Sequence, residues 1–441
     1  STCSYIELMK KKQRPGYIFD QLKSIASLEE VFSNKGEGMW RATDLANEVM
    51  MYPIEDAGRV NYIYEDNNPK DYVELLSFIN PENMLVTIAA KGVSVDKTEH
   101  FYQTKYSYSE DISLYKELKK VEVSDDFFLP EANPFIPKKA SVPRREFKTD
   151  VFPELISEKN GHKLYFGQDH QFLRPKGVIS FKVLLPNSIM SLKHRVYSRL
   201  YTACVNESLN EISYPAKDAG LNYVVKEGYE GIYIDVSGYT ESSIALLEII
   251  FEHLVNFSIS EDQFTAIKDG IVRNYKNFPL SDAHQQTREL APGILNNVKY
   301  TWDESLEIAG KATLEEVEEY SKSLYEKTFV EAMVYGDFQK RQAETAISLF
   351  EKKTKTKGIN KDETFEIAYL EMDGSEDIQY VNDLLVNNSC FFRQYVIGED
   401  SPETRAKAMV IDKAIQQPFY TEMRTNQQLG YIVLSYTRNI K

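Results

Sequence analysis

The order helix, turn, strand occurs twice in this chain, and this repetition constrains the fold more than any other feature of the sequence. In the first copy, residues 71–78 predict a helix and the apolar run 84–89 predicts a strand. In the second copy, residues 314–324 predict a helix and residues 329–335 a strand. The copies lie about 250 residues apart, which favours repeated domains of about 200 to 250 residues over a solenoid of short repeats.

The segment between these copies predicts antiparallel strands with helices grouped together. Residues 178–185 alternate between apolar and polar side chains, as a half-buried strand does, and residues 221–225 and 231–239 predict an antiparallel pair. Three apolar side chains of that pair should point inward: Ile232, Ile234 and Val236. We therefore expect an α+β fold class, with repeated domains whose antiparallel or mixed sheets are covered by helices on one face.

Helices are predicted on both sides of these strands. Apolar residues recur at helical spacing over 5–12, 17–32 and 39–51, and again over 188–212, which predicts one long helix. Polar residues at 240–243 start a helix that reaches residue 257. Ser260 and Gln263 have the spacing of a capping box, so the next helix should begin there.

Two stretches have the composition of connectors. Residues 129–145 are rich in Pro, Lys and Arg, which is typical of a semi-rigid linker. Residues 352–358 are rich in lysine and predict a second connector. Because a basic run between folded units is more often solvated than bound, we interpret the first stretch as a linker and not as a binding patch.

The charge of the chain restricts its partners. Its 441 residues carry a formal net charge of −15 at pH 7, whereas binding to nucleic acid or to an anionic membrane needs a basic face. No apolar run approaches the roughly 18 residues of a membrane span, and residues 1–5 lack the pattern of a signal peptide. We expect a soluble protein. Its compartment, cytoplasmic or periplasmic, and its oligomeric state stay open.

The sequence contains no common cysteine framework or enzyme motif. Cys3, Cys204 and Cys390 are far apart and odd in number, so they suggest neither a disulfide framework nor a metal site. No G-x-S-x-G, P-loop or G-x-G-x-x-G occurs. Three large enzyme classes are therefore not indicated.

The six histidines predict no zinc site in this chain. None lies in H-E-x-x-H or H-x-x-E-H, and no two stand at i, i+4. His162 and His170 flank a strand-like segment beside Asp169, and we interpret them as exposed turn residues in preference to ligands. His284, which follows Asp282, is interpreted as a structural residue at a helix start.

Near the C-terminus the sequence predicts a helix that turns into a strand. Ser401 as N-cap and Pro402 at the first helical position mark the helix start. Pro418 should kink or interrupt the helix, and Gly430 should end it in a left-handed conformation before a strand over 431–436. One apolar face should be buried, formed by Ala408, Ile411, Ala414 and Ile415.

Arg424 and Tyr431 flank this corner. A guanidinium with five N–H donors and a phenolic O–H both suit a carbonyl oxygen, or an oxyanion that develops from it. Two ordinary alternatives stay open. Arg424 could pair with a nearby Glu, and Tyr431 could pack at the start of the strand.

The motif Arg424-Thr425-x-x-Gln428-Leu429-Gly430-Tyr431 resembles the R-T-x-x-Q-L-G-Y signature of the insulysin and pitrilysin family of zinc peptidases, the inverzincins. Other stretches resemble family patterns in the same order along the chain: L-P-x-x-N-x-F-I-P at 129–137, L-x-F-x-Q-D-x-x-F-x-x-P-K at 164–176, and S-L-N-E with A-G-L-x-Y at 208–223. Four positions differ from the family, at Tyr420, Thr421, Met423 and Gln427. These exchanges leave Arg424 and Tyr431 intact.

The resemblance covers nearly the whole chain and implies an arrangement of domains. The family has four homologous α+β domains in two bowl-like halves around a chamber. Residues 1–120 would be the later part of the second domain, 121–150 the linker between the halves, 151–350 the third domain, 351–364 a linker, and 365–441 the start of the fourth domain. Because the chain begins at Ser1 and not at Met, we expect it to be either a processed chain or part of something longer.

The resemblance also implies a function, which is a zinc-dependent metalloendopeptidase that degrades short unfolded peptides. Arg424 and Tyr431 would contact the substrate carbonyl, and the Zn²⁺ ligands would lie upstream of Ser1. The partners would be peptide substrates and the N-terminal catalytic half of the same protein, and this chain alone should be inactive. The alternative is a non-catalytic family member that binds peptides or serves as a scaffold.

Overall fold

The computed structural model describes residues 2–12, 16–32, 36–110, 112–140, 152–159, 161–298, 301–371 and 377–439. The chain divides into two compact units: the described parts of 1–140 with 218–220, and those of 141–217 with 221–441. The division after residue 140 falls inside the predicted linker 121–150, of which 141–150 lie outside the described residues. The domain boundaries given above stay a prediction.

The first unit is mainly helical. Its helices are α1 (Thr2–Lys11), α2 (Gly16–Phe32), α3 (Gly38–Met51), α4 (Pro69–Phe78) and α5 (Ile112–Leu118), which confirms the helices predicted over 5–12, 17–32, 39–51 and 71–78. A short antiparallel pair joins β1 (Lys97–Thr98) to β2 (Lys105–Tyr106). The start of α4 shows why the sequence folds this way: Asn68 Oδ1 accepts a bond from the Lys70 amide at 3.1 Å, and Pro69 occupies the first helical position.

The strand predicted over residues 84–89 is wrong. These residues follow the 3₁₀ turn Pro81–Asn83, and no ladder joins them to another described segment. Leu85 and Ile88 are 78% and 74% exposed. A strand needs a partner for its backbone groups and cover for its apolar face, and the described part of this unit supplies neither to residues 84–89.

The beginning of the predicted linker is attached to α2. The Tyr17 hydroxyl donates to the carbonyl oxygen of Pro130, and Gln21 Oε1 accepts from the Asn133 amide at 3.2 Å. Phe135 is buried. Composition alone predicted a connector here but could not predict these contacts, because they depend on where α2 lies in space.

The second unit is built on a seven-stranded mixed sheet. Its strands are β3 (Glu154–Lys159), β4 (His162–Gln168), β5 (Lys176–Leu184), β6 (Leu221–Glu227), β7 (Gly231–Tyr239), β8 (Lys327–Gly336) and β9 (Lys357–Gly358). The order is β3-β4-β8-β5-β7-β6, with β9 beside the start of β8. The β4–β8 and β8–β9 pairs are parallel and the others antiparallel. This confirms the predicted α+β class and the predicted pair of β6 with β7.

Helices cover one face of this sheet. Three helices pack on its strands: α6 (Leu192–Ser208), α8 (Thr240–Val255) and α13 (Lys340–Thr354). Three more pack against α6 or α8: α9 (Glu261–Asn277), α11 (Trp302–Lys311) and α12 (Leu314–Leu324). The unit also contains α7 (Asn210–Asp218) and α10 (Ala283–Ile294). The Phe181 ring of β5 lies 5.2 Å from the Phe251 ring of α8 and 5.8 Å from the Phe350 ring of α13, measured between centroids. Lys182 and Glu331, on the opposite face, stay half-exposed. The alternation read from the sequence therefore gives the correct buried face, with Ile232, Ile234 and Val236 fully buried.

The single helix predicted over 188–212 is wrong, because it is divided into α6 and α7. The Ser191 hydroxyl accepts from the His194 amide at 3.1 Å and starts α6 later than expected. Leu209 separates the two helices. The apolar spacing was periodic across both, so it could not show this break.

Other helix boundaries agree with the sequence. The helix predicted over 314–324 is α12, and the Ser260–Gln263 capping box that starts α9 is present. The lysine-rich connector is partly regular structure, since α13 runs to Thr354, Lys355 takes a left-handed φ of 52°, and β9 pairs with β8. Within the described residues, no helix combines the length and the apolar character that a membrane span requires.

Candidate functional site

The helix that leads to the candidate site is α14 (Pro402–Tyr420). Its start is as predicted: the Ser401 hydroxyl accepts from the Thr404 amide at 3.1 Å, and Pro402 is the first helical residue. Pro418 does not interrupt the helix, which continues to Tyr420 and then widens into a π-helical segment, Thr421–Asn426. A single widened turn of this kind is common at functional sites.

The residue that ends this helix differs from the prediction. Gln428 takes the left-handed conformation, with φ 51°, whereas no positive φ is found at Gly430. The last bond of the π-helical segment runs from the Gln427 amide to the Glu422 carbonyl at 2.9 Å, and Gln428 follows it directly. The helix therefore ends two residues earlier than the position of the glycine predicted.

Arg424 and Tyr431 lie together at this corner. Arg424 Nη1 donates to the carbonyl oxygen of Gly430 at 3.0 Å, and its guanidinium carbon lies 4.4 Å from the centroid of the Tyr431 ring. Tyr431 is 84% exposed, and Arg424 is half-buried. The stack leaves the Tyr431 hydroxyl on the surface, where it can donate to a ligand.

The two ordinary alternatives for this pair are not found among the described residues. Arg424 forms no ion pair with a carboxylate there, since its contacts are the Gly430 carbonyl and the Tyr431 ring. Tyr431 does not pack at the start of a strand, because residues 431–436 pair with no described segment. The strand predicted over 431–436 is therefore wrong, for the same reason as at residues 84–89: no partner backbone is present among the described residues.

The buried face predicted for α14 is also mostly wrong. Ala408 is buried, whereas Ile411 is 50% and Ile415 46% exposed, and Ala414 is exposed as well. These residues do lie on one face of the helix, but no other described part of the chain packs against most of them.

A residue that sequence reasoning missed holds the π-helical turn. Glu422 Oε1 accepts from Gln427 Nε2 at 2.7 Å, and Glu422 Oε2 accepts from Asn426 Nδ2 at 2.8 Å. These two hydrogen bonds lower the pKa of the Glu422 carboxyl below its ordinary value, that from Gln427 contributing most. The available signal in the sequence was that Asn426 and Gln427 stand four and five residues after Glu422. This spacing implies that both contact Glu422 only if the helix is known to widen at this turn.

The histidines occupy mainly structural positions. His162 is buried, which corrects its interpretation as an exposed turn residue: its Nδ1 lies 2.8 Å from Glu351 Oε1 and its Nε2 3.1 Å from Ser157 Oγ. As the first residue of β4 it shares the buried face with Leu164, and the period of two could have indicated this. His170 is exposed, and His284 lies at the start of α10, as predicted.

Two further histidines are held by hydroxyl groups in the helical layer. His194 Nδ1 lies 2.9 Å from the Tyr320 hydroxyl, and His253 Nδ1 lies 2.9 Å from Ser208 Oγ. Burial, aided by the charge of Arg195, lowers the pKa of His194 to about 4. Across the described ranges, no group of three or more His, Cys, Asp or Glu side chains is arranged to hold a metal ion. These residues do not fit a zinc site.

Comparison with known proteins gives two matches to family models. Residues 31–308 match the model for the middle or third domain of peptidase M16. Residues 410–441 match the model for the C-terminal lobe domain 4 of PqqF-like PQQ synthase. The candidate site lies within the second match.

The relatives are similar to the chain over nearly all of its length. The insulin-degrading enzyme of Homo sapiens is 27% identical over 446 residues, which cover 98% of this chain and 43% of that protein. The A-factor-processing enzyme of Saccharomyces cerevisiae is 25% identical over 455 residues, which cover 99% of this chain and 43% of that protein. The chain thus spans less than half the length of these relatives.

The fold is also found in a solved structure. The crystal structure of pitrilysin matches with a TM-score of 0.71 at 21% identity, covering 99% of this chain and 46% of that one. At this identity the match shows the fold. Because the model for the middle or third domain covers more than half of the sequence, this chain belongs to the peptidase M16 family.

Proposed function

We propose that this chain is the peptide-contacting part of a zinc-dependent metalloendopeptidase that degrades short unfolded peptides. The observation that carries the proposal is the joint placement of Arg424 and Tyr431 on an exposed turn. Membership of the M16 family and the names of its relatives, among them an insulin-degrading enzyme, support it.

The chemistry assigned to this chain is recognition of a carbonyl group. Arg424 uses one N–H for Gly430, and a guanidinium has five such donors. Tyr431 adds a neutral O–H beside it. Both donors suit a peptide carbonyl and would bind it more strongly as negative charge develops on its oxygen, which is the behaviour that accelerates acyl transfer.

The metal would belong to another part of the protein. Zinc, when bound, would polarise a carbonyl and activate water. As the family resemblance implies, its ligands would lie upstream of Ser1, and we assign no metal-dependent step to this chain. Among the described residues no group of three or more His, Cys, Asp or Glu side chains could hold a metal ion. On this proposal the isolated chain is inactive and works with the N-terminal catalytic half of the same protein.

The arrangement of domains is part of the proposal. Residues 1–120 would belong to a second domain, 151–350 to a third and 365–441 to a fourth, with linkers at 121–150 and 351–364. The two family-model matches, to a middle or third domain and to a domain 4, support this order.

The test begins with the sequence that precedes Ser1 in the native reading frame. We expect an H-x-x-E-H motif there, and chelator-sensitive cleavage of an internally quenched peptide by the full-length protein. Cleavage that a chelator does not affect would contradict the proposal. Peptide binding without cleavage, in a protein that lacks the motif, would instead establish the non-catalytic alternative.

A further inference from the structure

The turn that carries Arg424 and Tyr431 has little apolar support. Every residue from 421 to 431 is exposed or half-buried. An exposed turn of this kind would ordinarily sample many conformations, because no packing compensates for the entropy of ordering it. The contacts that hold it must therefore be local.

Those contacts converge on Glu422. Its backbone carbonyl accepts from the Gln427 amide at 2.9 Å, which is the bond that widens the helix. Its carboxylate accepts from Gln427 Nε2 at 2.7 Å and from Asn426 Nδ2 at 2.8 Å. Hydrogen bonds to a carboxylate are roughly twice as strong as those between neutral groups, so one side chain ties together both ends of the π-helical segment.

The hydrogen bonds of Glu422 affect the candidate site through the backbone that follows Gln427. Gln427 is followed by Gln428, whose left-handed conformation turns the chain, and the Leu429 amide returns to the Met423 carbonyl at 3.0 Å. That path brings the Gly430 carbonyl to Arg424 and the Tyr431 ring beneath its guanidinium. If Gln427 is released, the direction in which the chain leaves the helix is no longer fixed.

We propose that Glu422 is a positioning residue, which holds Asn426 and Gln427 so that Arg424 and Tyr431 face the same carbonyl. This inference rests on the proposed function for the chemistry that the pair performs. It also makes a structural claim, that the stack of Arg424 on Tyr431 depends on Glu422, which holds or fails independently of any activity.

The test uses the full-length protein with 3-fluorotyrosine at position 431, followed by ¹⁹F NMR. An Arg424→Ala variant gives the resonance of the unstacked ring. We expect Glu422→Ala to move the resonance towards that value and Asn426→Ala to move it less, since one of the two bonds remains. The matched control is Glu403→Ala, which removes an exposed glutamate of α14 that pairs with Lys407 at 2.7 Å. It should leave the resonance unchanged.

Kinetics with unlabelled protein separate positioning from general stability. We expect Glu422→Ala to lower kcat about 3- to 10-fold with KM within about twofold, because displaced donors affect the transition state most. Glu422→Gln, which keeps one acceptor oxygen, should recover part of the loss. Glu403→Ala should match the wild type.

The outcomes distinguish this inference from the proposed function. A wild-type protein without chelator-sensitive cleavage would overturn the proposed function, whereas the ¹⁹F result would still decide whether Glu422 holds the stack. If the protein is active but Glu422→Ala leaves the ¹⁹F resonance unchanged, the positioning role of Glu422 is overturned and the proposed function is not. A shifted resonance with unchanged kcat also overturns the positioning role, because the turn would then have no effect on the reaction.

Discussion

The guanidinium carbon of Arg424 lies 4.4 Å from the centroid of the Tyr431 ring, while its Nη1 donates to the carbonyl oxygen of the residue before that tyrosine. The arginine thus contacts both the ring and the backbone that carries it. A planar guanidinium can stack and donate in the same geometry, whereas a lysine ammonium is a point charge on a flexible stem. The identity of the cation therefore matters as much as its charge.

We predict that Arg424→Lys lowers kcat/KM of the full-length protein by about 10-fold to 10²-fold, although the charge is kept. Steady-state cleavage of a quenched peptide is the measurement. The control is Arg405→Lys on the same helix, where the arginine pairs with Asp400, and it should stay within about twofold. Equal effects of the two exchanges would contradict a specific role for Arg424.

The turn should be more tolerant at Gly430 than at Gln428. A Cβ at Gly430 would meet nothing within 4 Å, and its φ is not positive. We expect Gly430→Ala to leave the ¹⁹F resonance of 3-fluorotyrosine at position 431 unchanged. Gln428→Val should shift it, because a β-branched residue is strained at φ 51°. The opposite ranking would show that the glycine ends the helix after all.

Acid should destabilise the chain through His194. Its pKa is lowered to about 4 in the folded state because the ring is buried, with Arg195 adding to the effect, whereas the unfolded value is about 6.5. Between these values the unfolded state binds more protons, so the free energy of unfolding falls as pH falls from 6.5 towards 4. The loss from this group is at most about 3.5 kcal/mol, since one pKa unit corresponds to about 1.4 kcal/mol.

Urea unfolding at several pH values measures this contribution. The wild type should lose stability between about pH 6.5 and pH 4.5, and His194→Gln should show a smaller slope over the same interval. The quantity compared is the slope of the free energy of unfolding against pH. The absolute free energy is not compared, since the exchange also alters the hydrogen bond to Tyr320. Identical slopes would mean that His194 titrates normally in the folded protein.

The core of the second unit should depend on its aromatic cluster. Phe350 is fully buried, and its ring lies 5.3 Å from Phe251 and 5.8 Å from Phe181, measured between centroids. We predict that Phe350→Ala lowers the free energy of unfolding by about 3 to 5 kcal/mol. The matched control is Phe101→Ala, since Phe101 is 84% exposed. Its free energy of unfolding, measured by denaturant titration, should stay within about 0.5 kcal/mol of the wild-type value.

The elements that the sequence predicted correctly are those whose signal is formed by residues within the element itself. The alternation of Ile232, Ile234 and Val236 predicts a buried face because side chains alternate across any strand. The capping box at Ser260 and Gln263 sets a helix start through bonds within four residues. Such local rules do not require knowledge of the rest of the chain.

The predictions that failed required a distant partner or an unusual turn. Residues 84–89 and 431–436 have strand-like sequences, but a strand also needs a second backbone, and none among the described residues pairs with them. Ile411 and Ile415 have helical spacing without cover. Glu422 was missed because its partners at Asn426 and Gln427 come into reach through a π-helical turn, which residue spacing does not reveal.

The central claim is that Tyr431 donates to a substrate carbonyl, and Tyr431→Phe in the full-length protein tests it most directly, because only the hydroxyl is removed. Tyr436→Phe, at a half-exposed tyrosine of the same segment, is the control. We predict a fall in kcat/KM of about 10²-fold for Tyr431→Phe and almost none for Tyr436→Phe. A Tyr431→Phe variant that stays within about twofold of the wild type would contradict the account.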